Sequence, residues 1–236
     1  GELISQPPSL GRVRNVRVED LLFREPVKLE LSSIRRKFEG RITLVTGAGG
    51  SIGSELARQL ARFNPDRLLL FDQSENDLHA IDIELRERFP NLRHVALVGD
   101  ILDLHRLEEV FSAYRPHSIF HAAAYKHVPM MEKNCFQAVK NNIFGTRNVA
   151  MTSRRFGVED FVMISTDKAV HPSSVMGVTK RAAELIVLGF QGPPTRFVSV
   201  RFGNVLGSNG SVLPLFERQI AERKPITVTD AEARRY

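Results

Sequence analysis

Ser165, Thr166, Asp167 and Lys168 set two hydroxyls, a carboxylate and an amine side by side, and Met176 stands four residues before Lys180. A hydroxyl can position an oxygen, while a carboxyl and an amine can move protons on and off oxygen and carbon. If the segment is helical, a spacing of four places Met176 and Lys180 on one face. A strand end capped by Ser and Thr, carrying a surface Asp–Lys pair, fits the same residues and would be preferred if they stood alone. They do not stand alone. Upstream, residues 42–55 read ITLVTGAGGSIGSE, with glycines at 47, 49, 50 and 53. Glycines at this spacing let a backbone turn sharply and approach a ligand, and the N–H groups that open the following helix favour a pyrophosphate.

The elements that must position these groups follow from the apolar pattern. The run ending at Thr46 reads as a buried parallel strand, 47–50 as a tight turn, and Ser51, Ile52 and Gly53 as the first turn of a helix. Gly47, Gly50, Ser51, Ile52 and Gly53 are therefore the candidate dinucleotide cradle. The next strand, 67–71, ends at Asp72, about 20 residues past the last glycine, where a ribose-binding carboxylate is expected. Such a carboxylate accepts from both ribose hydroxyls and repels a 2′-phosphate, so NAD is favoured over NADP, and Arg58 does not overturn that. Gln73 and Ser74 join this cofactor set, and Ser74 can also cap the next helix with Asp77 three residues on.

A helix at 75–88, a strand at 94–98 and a helix at 104–114 come next. Asp100, at the strand's C-terminal end, can bond adenine while Ile101 packs on it, although a loop acid or helix cap would look the same. After a strand at 118–121, Ala122 and Ala123, with Ala124, leave room for close approach to the nicotinamide half of the cofactor, although a close-packed turn would look the same. Lys126 and His127 then form a basic pair that suits a substrate diphosphate or sugar, and equally a solvated loop. Residues 132–156 read as one long helix with Asn142, Gly145 and Thr146 inside it, and 161–165 as a fifth strand. A sixth strand precedes Arg201, residues 213–222 look helical and 225–229 look like a short strand. This is an α/β Rossmann-like fold: a doubly wound parallel sheet with helices on both faces, plus part of a smaller C-terminal substrate lobe. The expected organisation is an N-terminal extension at 1–40 with a short strand at 13–18, an NAD-binding domain at 41–203, and the start of a substrate lobe at 204–236.

With 236 residues, 42% of them hydrophobic, and no repeat, the chain can bury a full core. No apolar stretch approaches the roughly 20 residues needed to span a bilayer, and the N-terminus is not a signal peptide. The single cysteine, Cys135, excludes an internal disulfide and suits a reducing compartment. The net charge of +6 is spread among interleaved acids, with no basic run joined to an aromatic stacking set, so nucleic acid is not an expected partner. No metal site is expected. The chain begins at Gly1 and not at a methionine, and is treated as a piece of something longer.

In order, TGAGGSIG, HAAAYKHVP, NNIFGT, STDKAV, MGVTK and RFGNVLGSNGSV resemble an extended short-chain dehydrogenase/reductase of the nucleotide-sugar 4,6-dehydratase group. Within that group the chain most resembles the large membrane-anchored capsule and O-antigen enzymes that act on UDP-N-acetylglucosamine. The resemblance implies a cytoplasmic catalytic domain tethered to the inner membrane by segments outside this chain, a UDP-sugar substrate, bound NAD and a homo-oligomer. The implied reaction oxidises sugar carbon 4, removes water across carbons 5 and 6, and returns the hydride to carbon 6. It further implies Thr166 on the carbon 4 oxygen, Asp167 as the acid at carbon 6, with its pKa raised by a closed site, and Lys168 as the carbon 5 base. Lys180 would hold the nicotinamide ribose, Asn204 the nucleotide diphosphate, and Ser211 and Val212 would lie near the uracil. Two departures stand out. Met176 occupies the position where most relatives carry the proton-accepting Tyr, a feature shared by the large dehydratases, and relatives continue past the point matching Tyr236.

Overall fold

Six short apolar runs become six parallel strands in the computed structural model, which describes residues 30–205 and 212–226. In chain order they are β1 (Ile42–Thr46), β2 (Arg67–Asp72), β3 (His94–Val98), β4 (Ser118–His121), β5 (Asp160–Ile164) and β6 (Arg196–Val200). Their spatial order is β3-β2-β1-β4-β5-β6. The chain thus starts in the middle of the sheet and winds outward both ways, so the crevice above the C-terminal ends of β1 and β4 is the place where ligands bind in such sheets.

Strand alternation explains why both faces need helices. Leu44, Leu69 and Phe71 enter one core cluster with Leu107, Phe111, Ile119 and Phe161, while Val45, Leu68 and Leu70 enter the other with Ala57, Leu60, Leu78 and Leu85. Each fully buried Leu or Phe adds about 1.5–3 kcal/mol relative to exposure, and charged residues in β1 or β2 would expose that cost on one face or the other. The second cluster is covered by α2 (Ser51–Ala61) and α3 (Glu75–Arg88); the first receives α4 (Leu104–Tyr114), α7 (Thr146–Arg155) and α8 (Val175–Gly189).

Several features differ from the pattern-based expectation. A helix, α1 (Leu31–Phe38), stands within the span read as an extension. It belongs to the same compact unit as the sheet, with the Phe38 ring 5.7 Å from Phe120 and 6.4 Å from Phe63. The single helix expected over 132–156 is instead α5 (Val128–Lys133), α6 (Cys135–Ala138), a π-helical segment (Val139–Gly145) and α7. Asn134 breaks it: φ −133°, ψ 46° lies off the helical path, and its side-chain amide donates to Met130 O at 2.9 Å. The wider π turn then faces Asn141 and Asn142 into the protein, where both are buried. The fifth strand closes at Ile164, one residue before its expected end, with the ladder carried on by Ser165 N donating to Val200 O at 2.7 Å. Finally, α9 (Val212–Ala221) begins one residue before the expected helix and ends one residue earlier. The expected strand at 13–18 lies outside the described residues; that at 225–229 lies largely outside them, and Pro225 and Ile226 carry no strand.

Candidate active site

The glycine turn closes on itself. Gly47 has φ +69°, and a Cβ there would sit 2.6 Å from Ala123 N; a Cβ on Gly53 would sit 1.9 Å from Gly47 O. Only residues without a side chain allow α2 to start this close to the ends of β1 and β4. Gly50 precedes the first helical residue, Ser51, with no side-chain cap on the opening N–H groups, so Ser51 and Ile52 lie in a turn whose dipole favours an anion. Asp72 ties the turn down: Oδ2 accepts from Gly49 N at 2.8 Å and Oδ1 from Ser74 N at 2.9 Å. Each oxygen keeps a lone pair for a further donor. Ser74 caps α3 as expected and donates to Asp77 at 2.7 Å.

A crevice of about 230 Å³ runs along this edge, between Gly47, Gly50, Asp72, Gln73 and Ser74 on one side and Asp100, Ile101, Ala122 and Ala123 on the other. Gln73 is exposed within it. Asp100 Oδ1 accepts from Leu102 N at 2.9 Å, holding the loop, and Ile101 is buried in the core beneath. The groups predicted for cofactor binding at 47, 50, 72–74, 100–101 and 122–123 thus line one continuous cleft, while Ser51, Ile52 and Gly53 open the helix beside it.

One strand further along the sheet lies the group of residues expected to carry the chemistry. Beyond β5, Asp167 N donates to Phe202 O at 3.1 Å, fixing the short turn Asp167–Ala169 beside the segment that follows β6. Thr166 caps that turn and donates to Asp167 Oδ1 at 2.8 Å. Lys168 Nζ donates to Asp167 Oδ1 and to Asn204 Oδ1, both at 3.0 Å. Residues 36 apart in sequence are therefore gathered at one point. The carboxyl of Asp167 behaves differently from expectation. Burial pushes its pKa up, but the Thr166 hydroxyl and the Lys168 ammonium outweigh that and hold it below the ordinary value. The side chain is 55% exposed, so desolvation is too weak to win.

Lys180 is buried, donates to Ile164 O at 2.8 Å, and has its pKa lowered to about 8 by burial, against the opposing pull of Glu184. Met176, one turn earlier, is also buried. It packs in a small apolar cluster with Met131 and Ala138, flanked by Tyr125 and Val128, and its thioether offers no proton chemistry. Lys126 and His127 are exposed between β4 and α5, with His127 at the N-cap of that helix. Ser211 lies outside the described residues, as does the side chain of Val212, the first residue of α9.

Three buried polar residues support this arrangement and were not read as site residues from the sequence. Glu184 accepts from Ser165 Oγ at 2.6 Å and from Arg201 at 2.8 and 2.6 Å, joining the ends of β5 and β6 to α8. Burial raises its pKa, but Arg201, Ser165 and Arg181 prevail and hold it at about 2. Asn142 accepts from Tyr125 N at 2.8 Å and donates to Tyr125 O and Thr179 Oγ1, both at 3.1 Å, clamping the segment after β4 to α8. His121 bridges Thr46 Oγ1 (2.7 Å) and Thr146 Oγ1 (2.9 Å), and burial with the nearby Lys180 charge lowers its pKa to about 3. A carboxylate in the otherwise apolar AAELIVL run was the available signal for Glu184. Asn142 and His121 stood in plain view, but their partners come from distant segments.

Residues 43–236 match the family described as polysaccharide biosynthesis protein. Among relatives, the capsular polysaccharide biosynthesis protein CapD of Staphylococcus aureus is 47% identical over all of this chain, which spans 40% of CapD. A UDP-N-acetylglucosamine 4,6-dehydratase (inverting) of Campylobacter jejuni is 32% identical over 84% of the chain and 60% of its own length. In three dimensions, the X-ray structure of Pen from Bacillus thuringiensis is similar with a TM-score of 0.76 and 38% identity, covering 82% of this chain and 61% of Pen. The chain therefore spans about two-fifths to three-fifths of these relatives.

Proposed function

We propose that this chain, which belongs to the polysaccharide biosynthesis protein family, carries the site of an NAD-dependent 4,6-dehydratase acting on a UDP-sugar, UDP-N-acetylglucosamine foremost. The observation that carries this reading is the meeting of Thr166, Asp167, Lys168 and Asn204 at the sheet edge next to the glycine cleft. The cleft's residues fit a dinucleotide: an uncapped helix start for the pyrophosphate, a carboxylate with spare lone pairs for the ribose, and glycines whose Cβ atoms would obstruct the turn. Asp72 favours NAD over NADP.

Bound NAD supplies a reversible hydride acceptor for the sugar. Thr166 positions the carbon 4 oxygen, and Asp167, ionised in the free protein, accepts the proton of the carbon 4 hydroxyl. Lys168 then acts as the base that takes the proton from carbon 5. Asp167 then gives its proton to the hydroxyl leaving carbon 6, which departs as water, and Lys168 returns a proton to carbon 5. Asp167 thus acts first as base and then as acid, in keeping with a carboxyl held below its ordinary pKa by Thr166 and Lys168. Lys180 and Asn204 hold the cofactor ribose and the substrate diphosphate, and Lys126 and His127 meet the substrate.

The test is a proton spectrum of the product formed from UDP-N-acetylglucosamine by the complete gene product. A new methyl doublet supports dehydration. Inverted carbon 4 with no methyl signal would instead indicate a 4-epimerase, and NAD binding with no turnover a non-catalytic nucleotide-binding module.

A further inference from the structure

A second cavity, about 340 Å³, lies between α2 and α3 and is bordered by Gly49, Ser51, Arg58, Asp77 and Glu84. It adjoins the cofactor cleft: Asp77 borders both cavities, and the Gly49 N–H that borders this one donates to Asp72 in the other. The cation lining it, Arg58, is held in place. Arg58 Nε donates to Glu84 Oε1 and Nη2 to Glu84 Oε2, each at 2.8 Å, while Nη1 reaches Glu55 Oε2 at 3.2 Å and Ser54 Oγ at 3.4 Å. Two parallel bonds between a guanidinium and a carboxylate are the strong geometry for such a pair. Arg88 Nη1 also donates to Glu84 Oε1, at 2.6 Å. The Glu84 carboxyl is accordingly pulled down to about 2, first by the bond from Arg58.

We propose that Glu84 is a specificity-determining residue for the dinucleotide: it holds the Arg58 guanidinium away from the cleft, so a 2′-phosphate on the adenosine ribose meets carboxylates and no available cation. The proposal rests on reading the cleft as a dinucleotide site and is independent of the sugar chemistry. Asp72 by itself repels a 2′-phosphate, yet a neighbouring arginine can accommodate one where it is free to turn. Here the nearby arginine shares its cavity with Glu84 and Asp77, and each of its three nitrogens already donates to an acceptor. Glu84 thus completes what Asp72 begins.

Calorimetric titration of the nucleotide-stripped protein with NAD+ and with NADP+ tests this, using wild type, Glu84→Gln, Arg58→Ala and the double variant, with Glu84→Ala as a second release of Arg58. Freeing a guanidinium for a phosphate is worth about tenfold or more in affinity. Glu84→Gln and Glu84→Ala should therefore bind NADP+ about tenfold tighter than wild type, with NAD+ affinity changed by less than about twofold. Arg58→Ala alone should change neither, and adding it to Glu84→Gln should erase the gain. Unchanged NADP+ affinity in both Glu84 variants overturns the proposal, as does a gain that survives in the double variant or a parallel loss for both nucleotides. If wild type binds neither nucleotide, the dinucleotide reading itself falls and takes the proposal with it.

Discussion

Asp167 shows why residue type alone does not set a residue's charge. Thr166 and Lys168, its two immediate chain neighbours, both bond the same oxygen, Oδ1, and together they overcome the desolvation that would otherwise favour the neutral acid. Asp167→Asn keeps much of the shape and removes the proton relay; Lys168→Met removes the base. Each is expected to cut product formation by about 10²- to 10⁴-fold while leaving NAD binding intact, measured by product assay alongside nucleotide titration. Near-normal turnover in either variant removes that residue from the proposed mechanism. The adjacency of these groups was legible in the sequence because they are chain neighbours. The partnership of Lys168 with Asn204 was not, since it depends on β5 and β6 lying side by side.

At the scale of elements, the site is held by joints between segments. Glu184 sits on α8 and grips Ser165 after β5 and Arg201 after β6. Its side chain is 6% exposed, whereas those of Arg181 and Arg201 are 44% and 38% exposed. Glu184→Gln therefore leaves arginines that water can solvate but a hydroxyl and a strand end less well held. A loss of about 1–3 kcal/mol is expected, read as a lower urea midpoint at unchanged slope. The strands and most helices were legible because apolar runs and their punctuation are local signals. The stretch from α5 to α7 was not. A switch from α to π winding leaves the apolar spacing nearly unchanged, and only the inward turn of Asn142 toward Tyr125 and Thr179 reveals it. Likewise α1, with only eight residues and none buried, carries a weak pattern, and the packing of Phe38 on Phe63 and Phe120 is a tertiary fact.

At the scale of the whole molecule, the order β3-β2-β1-β4-β5-β6 places both the glycine turn and the Asp167 turn on one edge, and among the described residues no helix is long and apolar enough to cross a membrane. The buried network at that edge also links fold to pH. His121 has a folded pKa of about 3 against an ordinary 6.5, so the stability from keeping it neutral is complete above about pH 6.5 and is lost as pH falls toward 3. Glu84 and Glu184, held near 2 against an ordinary 4.5, contribute their loss only below about 4.5. Between pH 6.5 and 4.5 the His121 contribution should fall by about 2–3 kcal/mol. Melting curves across that window should show it, and His121→Gln should flatten the slope there; an unchanged slope would contradict the assignment. The doubly wound fold was legible from strand and helix alternation, whereas His121 between two threonines from distant elements was not. The central claim is most directly tested by mass spectrometry of the product made from UDP-N-acetylglucosamine in D2O by the complete gene product. The expected product is lighter by one water and carries one solvent deuterium at carbon 5, delivered through Lys168; a product of unchanged mass without deuterium would contradict the dehydratase reading.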